Sequence, residues 1–242
     1  MSIGKLQRFE ENRTFPNIFQ PTFKEVLSGF RLKGKWNEEY FHNDNPITLE
    51  LGCGKGEYTV GLGKKYPGRN FIGIDWKGAR LWRGCKTAFE DGMGNVAFIR
   101  TETEFIEYFF DVDEVAEIWI TFPEPQPQKA KAKKRFTSPQ FNRRYANILN
   151  PEGLIHLKTD NDNFYEYTLN VIKEDSHRLL FSTDDLYGKS PELEVAEIQT
   201  FYEKMWLSQG LKIKYLEYKL NPQFFVDRNG ITTIIDQTNK LY

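Results

Sequence analysis

The sequence predicts an α/β fold, an open and mostly parallel sheet of seven strands with helices on both faces. Three observations predict it. Short apolar runs alternate with amphipathic helical stretches from residue 46 to about residue 220, the pattern of strand–crossover–strand units in a parallel sheet. The runs are short and almost wholly apolar, as strands covered on both faces are. Segments rich in glycine, proline or acids follow the runs, where such sheets place their ligand crevice.

The elements follow in order. Residues 1–45 are polar and aromatic, broken by Pro16, Pro21, Gly29 and Gly34. They read as an N-terminal extension packed on the core, with a helix near 22–29. The main domain spans 46–220. Its first strand is 47–51, followed by a helix over 57–65 that Pro67 and Gly68 stop. The second strand covers 70–75, followed by a helix over 77–90 that Gly92 and Gly94 break. Strands at 96–99 and 115–120 come next. Ser138 and Pro139 are a helix start, an N-cap followed by proline at the first position, and Phe141, Tyr145, Ile148 and Leu149 form its apolar stripe. A fifth strand covers 154–159. Phe164, Tyr167, Thr168, Val171 and Ile172 mark a further helix, and 177–181 a sixth strand. Val195, Ile198, Tyr202, Met205 and Trp206 recur at helical spacing and predict one helix closed by Gly210. Residues 211–220 are a last, hairpin-like strand, and 221–242 a C-terminal tail.

Composition limits the function classes. The chain has 242 residues, 39% hydrophobic and 28% charged, with a net charge of −1; these values fit a soluble globular protein and argue against disorder. No apolar run approaches the roughly 20 residues of a membrane helix, and residues 1–8 lack the apolar core of a secretory signal. Two cysteines, Cys53 and Cys85, and three histidines make neither a disulfide framework nor a zinc site. A cytoplasmic protein without metal or membrane partner is expected, as monomer or homodimer. The balanced net charge conceals one cluster: residues 129–135 carry five cations in seven positions and no acid. Alone, such a run reads as a solvated face.

The strand ends carry the functional signal. After the first strand comes Glu50-Leu51-Gly52-Cys53-Gly54-Lys55-Gly56, whose glycines permit a tight turn and close approach of a ligand to the backbone. Asp75 ends the second strand, 23 residues beyond Gly52, where a carboxylate accepts both hydroxyls of a ribose. Together they predict a nucleoside cofactor. A dinucleotide fingerprint requires Gly or Ala at position 57, which is Glu57, and a pyrophosphate is repelled by Glu50 and Glu57. S-adenosyl-L-methionine has no phosphate and carries a sulfonium and an ammonium, which suit these acids. Glu102, after the third strand, either accepts from the adenine amine or is an N-terminal helix charge.

After the fourth strand comes Thr121-Phe122-Pro123-Glu124-Pro125-Gln126-Pro127-Gln128. Three alternating prolines forbid helix and stiffen the loop, so Glu124 is held in place and the basic run leaves from the mouth of the cofactor site. A polyanionic substrate needs cations there. Asp160, after the fifth strand, either caps the next helix or faces the cleft. Thr200 and Glu203 share a helix face. Cys53 reads as a small packing residue and His156 as a satisfied core histidine.

In these segments the chain resembles the TrmB-type tRNA (guanine-N7)-methyltransferases, a class I, Rossmann-like methyltransferase family, over residues 46–220. The resemblance rests on Glu50-Leu51-Gly52-Cys53-Gly54, Gly73-Ile74-Asp75, Thr121-Phe122-Pro123-Glu124-Pro125, the basic run through Lys133-Lys134-Arg135-Phe136-Thr137, His156-Leu157-Lys158-Thr159-Asp160-Asn161 and Thr200-Phe201-Tyr202-Glu203. It implies methylation of guanine 46 in the tRNA variable loop. It implies cofactor contacts at Glu50, Asp75 and Glu102 and a catalytic carboxylate at Glu124; with the loop glycines Gly52, Gly54 and Gly56, and Glu124 at the cleft mouth, these make the expected cofactor site. It implies substrate contacts at Asp160, Thr200, Phe201, Tyr202 and Glu203, to which the basic segment adds Gln128, Lys129, Lys133, Lys134 and Arg135 as expected contacts to the polyanion. Departures from the family pattern are Glu124 and Glu102 in place of Asp, Gln126 in place of Trp and Gln128 in place of Lys, with Lys129 one position late. A non-catalytic RNA-binding protein on the same scaffold, or a methyltransferase of small molecules, are the alternative readings.

Overall fold

The computed structural model describes residues 4–226. Its strands are β1 (Ile18–Phe19), β2 (Ile47–Leu51), β3 (Asn70–Ile74), β4 (Val96–Ile99), β5 (Val115–Thr121), β6 (Leu149–Thr159), β7 (Arg178–Thr183) and β8 (Lys214–Lys219). They form one sheet in the order β1-β4-β3-β2-β5-β6-β8-β7. Pairing is parallel from β1 through β6, and β8 lies antiparallel between β6 and β7. The order reverses beside β2, so the glycine loop after β2 stands at the topological switch point, where open α/β sheets bind ligands.

The sheet has eight strands among the described residues, not seven. The additional one is β1, in the segment read as irregular: Ile18 and Phe19 pair with Phe98 and Ile99. Two residues are too few for a period-2 pattern to register. The same segment contributes α1 (Lys5–Asn12), α2 (Phe23–Leu27) and a π-helical turn over Trp36–Phe41. Asn12 of α1 donates to the Gly78 carbonyl at 2.8 Å, and Glu11 accepts from the Trp82 indole at 2.7 Å, fixing α1 to the helix after β3.

The remaining helices are α3 (Glu57–Lys65), α4 (Gly78–Glu90), α5 (Pro139–Ala146), α6 (Asp162–Glu174), α7 (Leu186–Lys189), α8 (Phe201–Ser208) and α9 (Gln223–Val226). Ser138 caps α5 with Pro139 at its first position, and Asn161 caps α6. Alternation along the strands sends side chains into two cores. Leu49, Leu51, Ile72, Ile74, Ile118, Ile120, Ile155 and Leu157 pack with α5, α6 and Trp36. Phe71, Val96, Phe98, Trp119 and Tyr215 pack with α3 and α4. On the α3 face the central strands also bury Glu50, Glu117, Thr121, His156 and Lys158. One face is therefore apolar and the other carries polar groups that must find partners inside the protein.

The single helix expected from Val195 to Trp206 is two pieces, a 3₁₀ turn over Glu194–Ala196 and α8. The break has a chemical cause. Lys158 Nζ donates to the carbonyls of Val195 at 3.0 Å and Ile198 at 3.3 Å. Thr200 then restarts the helix with a capping box closed by Glu203.

Candidate active site

The loop after β2 is shaped by backbone geometry. Gly52 and Cys53 N–H both donate to the Ile74 carbonyl, at 2.8 and 3.0 Å. Gly56 has φ +68°, and a Cβ there would lie 2.5 Å from the Phe98 ring and 3.2 Å from Gly84 Cα; only glycine fits where loop and α4 meet. Asp75 Oδ2 accepts from Gly54 N–H at 2.9 Å and Oδ1 from Lys77 N–H at 2.7 Å. Burial raises its pKa, while these two N–H groups and Arg80 pull it back. Each oxygen keeps a lone pair for a diol.

A cleft of about 350 Å³ opens at these strand ends, lined by Gly52, Asp75, Trp76, Lys77, Arg80, Glu102, Phe122, Glu124, Lys134 and Phe136 among others. The sequence reading missed Trp76, Lys77, Arg80 and Phe136 as cleft residues. Trp76 is 59% exposed immediately beside Asp75, the site where a solvent-facing indole offers its plane to a base next to a ribose-binding carboxylate. A larger cavity of about 460 Å³, bounded by Tyr58, Trp119, His156 and Tyr215, lies on the α3 face away from the strand ends.

Glu50 does not open freely into the cleft. Its Oε1 accepts from the Thr121 hydroxyl at 2.5 Å, and its Oε2 accepts from Thr59 N–H at 2.8 Å and from the Thr59 hydroxyl. It ties the start of α3 to the end of β5. Burial pushes its carboxyl up to about 7, against the hydrogen bonds of Thr121 and Thr59. Because the folded value lies above the ordinary 4.5, the folded protein holds this proton more tightly. The stability it contributes is full below about pH 4.5 and is lost as pH rises through about 7. Glu50→Gln is expected to remove that decline; denaturant titrations across the window would reveal it as a mutant–wild-type difference that grows with pH.

The loop after β5 is non-helical, as its prolines dictate. Phe122 (φ +49°) and Gln126 (φ +44°) both sit in the left-handed region, a strain of roughly 1–3 kcal/mol each that neighbouring structure must hold in place. Between them Glu124 is exposed; Lys77 Nζ is 3.9 Å from its carboxylate and the Gln126 amide donates to it at 3.2 Å. Beyond it a 3₁₀ turn spans Lys129–Lys134. Gln128, Lys129, Lys131, Lys133 and Lys134 are exposed, and none of these lysines forms an ion pair among the described residues. Asp160 is not the cap of α6; Asn161 is, accepting from Phe164 N–H at 2.8 Å. The Asp160 carboxylate, half-buried at the end of β6, is left available among the described residues.

The α8 segment separates the expected substrate residues. Phe201 and Tyr202 are exposed at 55% and 43%, with Lys55 Nζ 4.4 and 5.8 Å from their ring centroids. Glu203 has no exposed surface, contrary to the expectation of a substrate contact. Its carboxylate pairs with Lys158 Nζ at 2.7 Å, accepts from Tyr187 at 2.7 Å, and accepts from Thr200 N–H in the capping box. Thr200 is committed in turn to Glu203 N–H at 3.2 Å. These two residues anchor α8 to β6. Glu57 Oε2 accepts from Phe201 N–H at 2.9 Å and joins α8 to the start of α3. His156 is buried against Trp119 and Tyr215, with Nδ1 2.8 Å from the Tyr215 hydroxyl and Nε2 3.2 Å from the Glu117 carboxylate, a core histidine with polar partners.

The cleft suits adenosylmethionine on its donor and acceptor set: the Asp75 carboxylate for a ribose diol, an adjacent indole at Trp76, and the Glu102 carboxylate against a cationic ligand. Among the described residues no group of three His, Cys, Asp or Glu side chains could hold a metal, and no helix is long and apolar enough to cross a membrane.

Comparison with known proteins agrees with this geometry. A protein-family model described as a putative methyltransferase matches residues 44–216. A tRNA (guanine-N(7)-)-methyltransferase of Christiangramia forsetii is 52% identical over 222 residues, covering 90% of this chain and 99% of that protein. The protein of the same name from Porphyromonas gingivalis is 51% identical, covering 86% of each. Among solved structures, the 16S rRNA methyltransferase KamB shares the fold with a TM-score of 0.58 at 17% identity, over 76% of this chain and 92% of that one.

Proposed function

The chain belongs to the tRNA (guanine-N7)-methyltransferase family, and from that premise we propose that it transfers the methyl group of S-adenosyl-L-methionine to N7 of a guanine in tRNA, guanine 46 of the variable loop, in the cytoplasm. The observation that carries the reading is the placement of unpaired lysines at the mouth of a cleft whose floor is a glycine loop and a ribose-type carboxylate. In this reading Asp75 holds the ribose, Trp76 and Glu102 face the adenine, and the backbone of Gly52, Gly54 and Gly56 receives the methionine portion, with the buried Glu50 carboxyl tying α3 to β5 beneath it.

Adenosylmethionine supplies an electrophilic methyl, which the in-plane lone pair of guanine N7 takes as the carbon–sulfur electron pair returns to sulfur. No proton need move. Catalysis is then positioning, which supplies roughly 7–11 kcal/mol when the reacting atoms are held close to attack geometry. The product purine is cationic, and Glu124 stands at the cleft to stabilise that charge as it develops. Asp160, with its carboxylate uncommitted, accepts from the guanine N1–H and amine. Lys129, Lys133 and Lys134 grip phosphates, and Phe201 and Tyr202 offer ring faces to a base drawn out of its stack.

Two measurements bear on this. Methylation of an unmodified tRNA transcript should stop when its guanine 46 is replaced; unchanged incorporation would refute the position. Lys129→Ala and Lys133→Ala should each weaken tRNA binding and reduce the slope of log affinity against log salt by roughly 0.7–0.9. Filter binding over a salt series reads this, and an unchanged slope would remove these lysines from the phosphate grip.

A further inference from the structure

Arg135 closes the basic run, yet its surroundings differ from those of the lysines before it. Its Nε and Nη2 both donate to the carbonyl of Gln126, at 3.2 and 3.1 Å, and its guanidinium lies 4.2 Å from the centre of the Tyr167 ring. The side chain is half-buried, whereas Lys129, Lys131, Lys133 and Lys134 are exposed. The two residues that follow are fastened too. The Phe136 carbonyl accepts from the Tyr145 hydroxyl at 2.7 Å, and Thr137 bonds Thr168 at 2.8 Å.

The loop that Arg135 grips has few other handles. Pro123, Pro125 and Pro127 have no N–H to donate, so few backbone donors are left to hold the loop. At its front, Phe122 N–H donates to the Lys158 carbonyl at 2.8 Å. At its back, Gln126 carries a left-handed backbone and its carbonyl is taken by the Arg135 fork. Glu124 lies midway between the two ties. A guanidinium donates from two nitrogens in one plane while stacking on a ring, which an ammonium cannot do.

We propose that Arg135 is a positioning residue that locks the Gln126 carbonyl and so aims Glu124 into the cleft, rather than one of the phosphate-gripping cations. This rests on the reading of Glu124 as the carboxylate that assists methyl transfer. The lysines and Arg135 then divide the run between them: the first four cations hold the RNA, and the last holds the loop that acts on it.

The test compares R135A, R135K, Y167L, E124Q and the double variant R135A/E124Q. Single-turnover methyl transfer, adenosylmethionine affinity and the salt dependence of tRNA binding are read for each. R135A is expected to slow transfer by about 10- to 100-fold, with cofactor affinity and the salt slope of tRNA binding as in the wild type. R135K should rescue little, and Y167L should lose part of the rate with the slope intact. In the E124Q background R135A should add little, because both changes remove the same aligned carboxylate. A salt slope reduced by roughly 0.7–0.9 in R135A, with the rate intact, would make it a phosphate contact and overturn the proposal. So would additive losses in the double variant. Full turnover in E124Q would instead overturn the underlying reading of Glu124, and the positioning role with it. Should R135A fail to bind cofactor at all, R135K and Y167L carry the same comparison.

Discussion

Glu124→Gln is expected to slow methyl transfer by about 10²-fold while leaving adenosylmethionine affinity within about twofold of the wild type. The change keeps the side chain's length, removes its charge and exchanges one acceptor oxygen for a donor amide. The carboxylate stands at the open edge of the cleft, with Lys77 at 3.9 Å as its charged neighbour, so little holding the cofactor depends on it. A purine that becomes cationic as N7 gains a methyl does depend on a nearby negative charge, and more so once bound tRNA excludes water from the cleft. Glu124→Asp, which restores the charge on a shorter arm, should recover part of the rate. Rapid-quench single turnovers beside equilibrium cofactor titrations separate the two quantities. Equal losses of rate and affinity would place Glu124 in cofactor binding instead.

The second large effect is on stability. Lys158→Met is expected to cost about 3–5 kcal/mol, because it leaves the Glu203 carboxylate buried without its cation. Neither side chain has any exposed surface, and Lys158 also satisfies the Val195 and Ile198 carbonyls. For a domain of this size each kcal/mol lowers Tm by about 2–4 °C, so the loss should appear as about 6–20 °C in a thermal scan. Adding Glu203→Gln, which keeps an acceptor for the helix cap and removes the stranded charge, should restore a substantial part. If Lys158→Met melts with the wild type while tRNA binding collapses, Glu203 faces the RNA and the structural account of α8 is wrong.

The sequence made legible those parts of the site that rest on local backbone chemistry. Gly52, Gly54 and Gly56 marked the turn and Asp75 the end of the neighbouring strand, because glycines at a strand end and a carboxylate at a fixed distance are readable from spacing alone. The prolines around Glu124 announced a rigid loop for the same reason. What stayed hidden depends on partners far away in the chain. Glu203 sits on the helix flank beside an apolar stripe and reads as a surface acid until Lys158, on a strand, is brought against it. Arg135 reads as one more cation until Gln126 and Tyr167 close around it. Trp76 carries no periodic signal, since a single aromatic after a strand is indistinguishable from a packing residue. The strand Ile18–Phe19 exists only because β4 offers an edge to pair with, and no two-residue pattern can declare that.

The most direct test is to incubate the purified protein with methyl-labelled adenosylmethionine and unmodified tRNA, digest the RNA and identify the labelled nucleoside. The account predicts label in 7-methylguanosine, with none on free guanosine, because the lysines at the cleft mouth require a polyanion. Normal cofactor binding with label in any other nucleoside, or tight tRNA binding with no cofactor bound, would contradict it.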